Sequence, residues 1–119
     1  MQLVKILMLS MVALSSCATL YQKEGFFSNG YSDLRSGQDI FVITFRANEH
    51  TPAKKVKKYA LRRAAEVTLK NHYRYFVVLD EIGEGKHLYY PSIRLTIQCF
   101  HEMPLGKDAY DARTLNGMR

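Results

Sequence analysis

At 119 residues, with 47% hydrophobic and 24% charged side chains, the chain has room for one compact domain and too much apolar content to remain disordered. Its formal charge of +6 directs attention to anionic partners. The chain opens on Met1-Gln2-Leu3-Val4-Lys5, continues as an apolar run from Ile6 to Leu14, and passes into Ser15-Ser16-Cys17. One cation, an apolar stretch and small residues before a cysteine are the parts of a secretory signal. A membrane-spanning helix needs about 20 mostly apolar residues. This run stops at Leu14, so no permanent transmembrane segment is expected.

The ending Leu14-Ser15-Ser16-Cys17 resembles a lipobox, the site at which bacteria attach diacylglycerol to a cysteine thiol and cleave before it. The resemblance implies a lipoprotein signal peptide over residues 1–16 and a mature protein beginning at Cys17, which carries covalent lipid and needs no other cofactor. One acyl chain holds a protein only reversibly, at roughly 0.8 kcal/mol per buried methylene, whereas two or three make a lasting anchor. Ala18, rather than Asp, follows the cysteine. By the sorting pattern of enterobacterial lipoproteins this implies the outer membrane, facing the periplasm. Acylation of Cys17 leaves Cys99 as the remaining thiol, with no partner for an intrachain disulfide.

Residues 17–38 carry Gly25, Gly30, Gly37, Ser28, Ser32, Ser36 and Asn29 with little periodicity, as expected of a linker that lifts a domain, residues 39–119, off the membrane. Its aromatics Tyr21, Phe26, Phe27 and Tyr31 are too many for a pure spacer. Part of it is expected to pack on the domain or at the lipid headgroups. Asp39 to Arg46 alternates Phe41, Ile43 and Phe45 with Ile40, Val42 and Thr44, and reads as the first strand. Thr51-Pro52 reads as a helix cap followed by proline at the first helical position. From there Ala53, Val56, Ala60, Leu61, Ala64, Val67 and Thr68 project on one side of a helix running to about His72.

Tyr75 to Asp80 is a near-continuous apolar run, the pattern of a strand buried on both faces and central in its sheet. A polar connection with Gly83, Gly85 and Pro91 leads to a strand from Ile93 to Phe100, in which Ile93, Leu95, Ile97 and Cys99 share one face. Cys99 is therefore expected as a buried thiol that packs like a small hydrophobe. Asp108 to Leu115 suggests a short last helix. The fold expected is an α+β layer in the order strand–helix–strand–strand. One main helix packs on three strands, or four if residues 26–35 add another. The crossover strands should be parallel and the last two antiparallel.

Four further elements carry a resemblance: Gly30-Tyr31-Ser32-Asp33, Phe45-Arg46-Ala47-Asn48, Leu61 to Leu69 with Arg63-Ala64-Ala65-Glu66 inside it, and Tyr75-Phe76-Val77-Val78. Together they resemble a family of small bacterial lipoproteins of uncharacterised function, whose members show Gly-Tyr-Ser, Phe-Arg-Gly-Asn and Arg-Ala-Ala-Glu elements at similar spacings. Ala47 stands where that family usually has glycine. The resemblance implies lipidation and this order of elements, and supplies no catalytic residue.

The positive charge is concentrated in the helix, where Lys54, Lys55, Lys57, Lys58, Arg62, Arg63 and Lys70 meet only Glu66. Cations in a first helical turn oppose the macrodipole, each by roughly 0.3–1 kcal/mol when poorly screened. A surface of Lys54, Lys55, Lys58, Arg62 and Lys70 suits phospholipid headgroups, lipopolysaccharide phosphates or an acidic envelope protein. It equally suits a solvated face screened by salt. Nucleic acid is not expected, since no nucleic-acid motif is present and an exported protein rarely meets it.

Arg62 and Glu66 are spaced for an i,i+4 ion pair, and Arg63 is placed to reach the sheet edge or a carboxylate such as Asp80. Glu66 is read as holding the helix to a neighbouring loop. The histidines at 50, 72, 87 and 101 lack metal-ligand spacing, and Asp80, Glu81 and Glu84 read as a solvated loop cluster. Nucleophile elbows and phosphate-binding glycine loops are absent from the sequence, so no catalytic or metal site is expected. The expected function is that of a lipid-anchored envelope protein that binds other envelope proteins as an accessory part of an assembly such as a secretion system. The alternative is a non-enzymatic periplasmic module binding a small ligand near Tyr31, Tyr89 and Tyr90.

Overall fold

The computed structural model describes residue 21 and residues 30–47, 51–84 and 91–117. The signal, Cys17, Tyr89 and Tyr90 lie outside the described residues. The elements in chain order are β1 (Gly30–Arg35), β2 (Ile40–Arg46), α1 (Ala53–Lys70), β3 (Tyr75–Glu84), β4 (Ser92–Phe100), β5 (Tyr110–Asp111) and α2 (Ala112–Asn116). The strands form one antiparallel sheet in the order β1-β2-β4-β3-β5. The protein is thus α+β, with one main helix and a short C-terminal helix on a five-stranded sheet.

Both layers follow from apolar periodicity. Alternation in β2 and β4 sends Phe41, Ile43 and Phe45, and Ile93, Leu95, Ile97 and Cys99, to one sheet face, where all are buried. From above, α1 sets Val56, Ala60, Ala64, Ala65, Val67 and Thr68 onto that face. Its three buried alanines let the helix backbone approach the sheet closely enough for Phe45 and Phe76, both fully buried, to fill the space between the layers. Burying a side chain of that size stabilises by roughly 1.5–3 kcal/mol. The short helix α2 packs beside α1, with Ala112 fully buried.

Several expectations are corrected. The strand allowed for within residues 26–35 is present over residues 30–35 and pairs with β2, Tyr31 opposite Phe45 and Arg35 opposite Phe41, so the folded unit begins before residue 39. The sheet has five strands, because two residues, Tyr110 and Asp111, add a short edge beside β3. The last helix is correspondingly shorter than Asp108 to Leu115, and Asp111 caps it by accepting from the Arg113 N–H. Between β2 and β3 lies β4, so the crossover strands point the same way without being neighbours, and β4, not β3, is central.

The solvated flank of β3 reflects a bulge. Val78 pairs with Ile97 and Asp80 with Thr96, leaving Leu79 as an extra residue. Beyond it the alternation changes phase: Glu81 lies opposite buried Leu95 and faces the helix layer, while Ile82, opposite Arg94, faces away and is 41% exposed. Asp80 and Glu81 therefore belong to a strand rather than a loop. Glu81 meets Lys57 of α1 at 3.2 Å.

The ends of α1 also differ from expectation. Pro52, extended at ψ 146°, is itself the cap residue, and its carbonyl accepts from the Lys55 and Val56 N–H groups at 3.0 and 3.1 Å. Thr51, read in the sequence as the cap, is buried beside it. At the other end the helix stops at Lys70. The N–H of His72 donates to Leu69 O and that of Tyr73 to Thr68 O, each at 3.0 Å, with His72 at φ 68°. These bonds define a Schellman motif that places histidine where glycine is usual. Ala47, by contrast, is fully buried, has no left-handed backbone, and donates its N–H to Pro91 O at 2.9 Å.

Candidate functional site

The densest polar cluster joins β1, α1 and Tyr21. Alternation in β1 puts Tyr31 and Asp33 on the helix side, opposite Phe45 and Ile43. On α1, Tyr59, Arg62, Arg63 and Glu66 occupy the flank that overhangs that edge strand. Arg63 spans the gap. Its Nε and Nη2 lie 2.8 and 2.7 Å from Asp33 Oδ1, its Nη1 lies 3.1 Å from Glu66 Oε2, and its guanidinium carbon stands 4.2 Å from the Tyr31 ring centroid. It thus reaches the sheet edge, through Asp33 rather than Asp80. Glu66 is bonded through Arg63; Arg62 Nε is farther, at 3.7 Å from Oε1.

Tyr21 completes the cluster. Its hydroxyl donates to Glu66 Oε2, its ring stacks on Tyr31 at 5.1 Å and meets Tyr59 edge-on at 5.5 Å, and the Arg62 guanidinium lies 4.2 Å over it. Glu66 therefore fastens α1 to the segment that follows Cys17 in sequence. Burial of the Tyr21 phenol, reinforced by the hydrogen bond to Glu66, pushes its pKa far above the ordinary tyrosine value. For Arg63, burial works against the charge, but the hydrogen bonds to Asp33 and Glu66 outweigh it and hold the pKa above its ordinary value. The cluster is a clamp in which Arg63, Asp33, Glu66 and the Tyr21 hydroxyl engage one another, while the buried Arg62 Nε has no hydrogen-bond partner among the described residues.

The predicted basic surface divides into two parts. Lys54, Lys55 and Lys58 are exposed along the first turns of α1, where there is no acidic residue to offset the macrodipole. Arg62 continues that line to Tyr21. Lys70 does not belong with them, lying sixteen residues beyond Lys54, roughly 24 Å along the axis at 1.5 Å per residue. There it complements the negative end of the helix dipole. Beside Lys54 and Lys58 runs an open groove of about 1100 Å³ whose apolar floor includes Pro52, Ala53, Leu61 and Leu115.

Cys99 is 2% exposed, and its Sγ lies 3.4 Å from Thr68 Oγ1. The Thr68 hydroxyl donates to Ala64 O at 2.7 Å, so the thiol is left as the donor in the Cys99–Thr68 contact. Burial raises its pKa and keeps it protonated. Among the described residues no group of three or more His, Cys, Asp or Glu side chains is placed to hold a metal. Of the tyrosines proposed to line a ligand site, Tyr31 is engaged by Tyr21 and Arg63. No family model, curated protein or solved structure matches the chain.

Sequence reasoning missed the Tyr21 contacts and the role of Asp33. A signal for the first was present in the surplus of aromatics after Cys17. For the second, the Gly-Tyr-Ser-Asp segment already read as a possible strand.

Proposed function

We propose that this is a lipid-anchored protein of the bacterial envelope, held by acylated Cys17 at the outer membrane on its periplasmic side, whose domain is a binding or structural component of a larger envelope assembly. An accessory place in a secretion-system complex is the first instance to test. The observation that carries this reading is Tyr21. Four residues after a lipobox cysteine, the chain is fastened to the folded domain by a hydrogen bond to Glu66 and by three aromatic or cationic contacts. Such an anchor holds the domain against the membrane and suits a component of an assembly better than a freely ranging binder. Tyr21, Arg63, Asp33 and Glu66 are engaged with one another, which suits a structural role.

The test is metabolic labelling with an alkyne fatty acid, followed by envelope fractionation and a crosslinked pull-down. The wild-type chain should take the label, fractionate with outer membrane and bring down defined envelope proteins, while Cys17→Ser loses the label. Absence of label on the wild type would refute the anchor. Recovery of the lipoprotein alone after crosslinking would refute the assembly.

A further inference from the structure

Resting on the reading of Cys17 as the lipid anchor, we propose that the basic face of α1, formed by Lys54, Lys55, Lys58 and Arg62, lies on the anionic phospholipid headgroups of the bilayer that holds the anchor. An unpacked linker over residues 17–38 would behave as a coil with an end-to-end distance of roughly 25 Å. At that distance a surface potential that decays over about 8 Å leaves a basic helix unaffected. Tyr21 shortens the tether to four residues, at most about 14 Å of extended chain. Arg62 lies directly over the Tyr21 ring, and Lys58 is one helical turn further on. The lysines are thus held near the depth at which headgroup charge is felt.

The helix face is also chemically complementary to such a surface. Glu66, the sole acid in α1, is occupied by Tyr21 and Arg63, and Lys57 turns aside to Glu81. Lys54, Lys55 and Lys58 are exposed to solvent, Lys55 lying over the Tyr59 ring, and the first turn holds no acidic residue. Between their stems the groove over Pro52, Ala53, Leu61 and Leu115 offers apolar surface at the same level. Phosphate above an apolar boundary is what a phospholipid surface presents, and lysine stems lie along such a boundary with their ammonium groups at the phosphates. In this orientation the opposite sheet face, with Leu34 69% exposed and Ile82 41% exposed, points away from the bilayer.

The test uses the mature lipidated protein reconstituted into vesicles of phosphatidylethanolamine with phosphatidylglycerol. Since Cys99 is buried and Cys17 acylated, a bimane probe on Lys54→Cys, or on Leu34→Cys as the opposite-face control, reports one site. Spin-labelled headgroups should quench the probe at 54 and spare that at 34. High salt, phosphatidylcholine vesicles, or Lys55→Glu with Lys58→Glu should bring quenching at 54 down to the level at 34. Equal quenching at both sites, stronger quenching at 34, or quenching at 54 that ignores charge and lipid would overturn the proposal. A protein that fails to float with either vesicle, and whose N-terminal peptide lacks acyl mass, would instead show that the anchor reading itself has failed, and this proposal with it.

Discussion

Tyr21 donates its hydroxyl hydrogen to Glu66, forty-five residues further along the chain, and through that bond a residue beside the proposed anchor becomes part of the domain. The same Glu66 oxygen is shared with Arg63, which carries the connection on to Asp33 in the edge strand β1. Anchor-proximal segment, helix and sheet edge are therefore joined at one carboxylate.

Removing only the hydroxyl isolates that bond. Tyr21→Phe should keep the ring contacts with Tyr31 and Tyr59 and lower stability by about 1 kcal/mol. Tyr21→Ala, which also removes the rings' packing and the Arg62 contact, should lower it by about twice as much or more. Urea unfolding followed by circular dichroism measures both. Equal losses for the two variants would mean that the ring adds nothing.

The raised Tyr21 pKa makes a signed prediction for alkaline stability. The folded state holds the phenolic proton more tightly than the unfolded state, so this contribution is complete below the ordinary tyrosine pKa of about 10. It is lost as pH rises past that value, because the unfolded phenol then ionises while the folded one does not. Melting temperatures should fall more steeply between pH 9 and 11 for the wild type than for Tyr21→Phe, roughly the window set by that value. Phenolate absorbance should show one tyrosine that titrates only on unfolding.

The two arginines beside Glu66 should differ. Arg63 has a side chain only 15% exposed and bridges two carboxylates, so Arg63→Ala leaves Asp33 and Glu66 uncompensated and should destabilise by roughly 2–3 kcal/mol. Arg63→Lys keeps the charge but lacks the fork that reaches both acids, and should recover less than half of that. Arg62→Ala should stay within about 1 kcal/mol, as expected of an ion pair at 3.7 Å with greater exposure.

At the C-terminus of α1, His72 holds a left-handed backbone with an exposed side chain. L-residues pay roughly 1–2 kcal/mol in that region, partly offset by the greater chain entropy of glycine when unfolded. His72→Gly should therefore stabilise the domain by about 0.5–1 kcal/mol, and His72→Val should destabilise it. Thermal melts of the two variants give the signs directly.

What was legible in the sequence is what periodicity can report. Phe41, Ile43 and Phe45 repeat every second residue, Ile93 to Cys99 do the same, and Val56, Ala60, Ala64 and Val67 mark a helix face; all are buried as the pattern requires. The apolar run at Tyr75 to Leu79 misled because hydrophobicity alone does not reveal a bulge or show which strand will slip between two others. Tyr110-Asp111 is too short for any period. At the clamp, the spacing of Arg62, Arg63 and Glu66 was visible, but Asp33 and Tyr21 lie 30 and 45 residues from the partners they meet. Contacts made across such distances leave no local pattern.

The extra residue at Leu79 gives β3 two halves of opposite phase toward the core, with Phe76 and Val78 inward before it and Glu81 inward after it. Deleting Leu79 would restore an unbroken ladder without moving its neighbours, with Asp80 still opposite Thr96, Glu81 opposite Leu95 and Ile82 opposite Arg94. The link from Lys57 to Glu81 would therefore survive and Ile82 would stay on the open face, so a shorter chain here would keep both surfaces as they are.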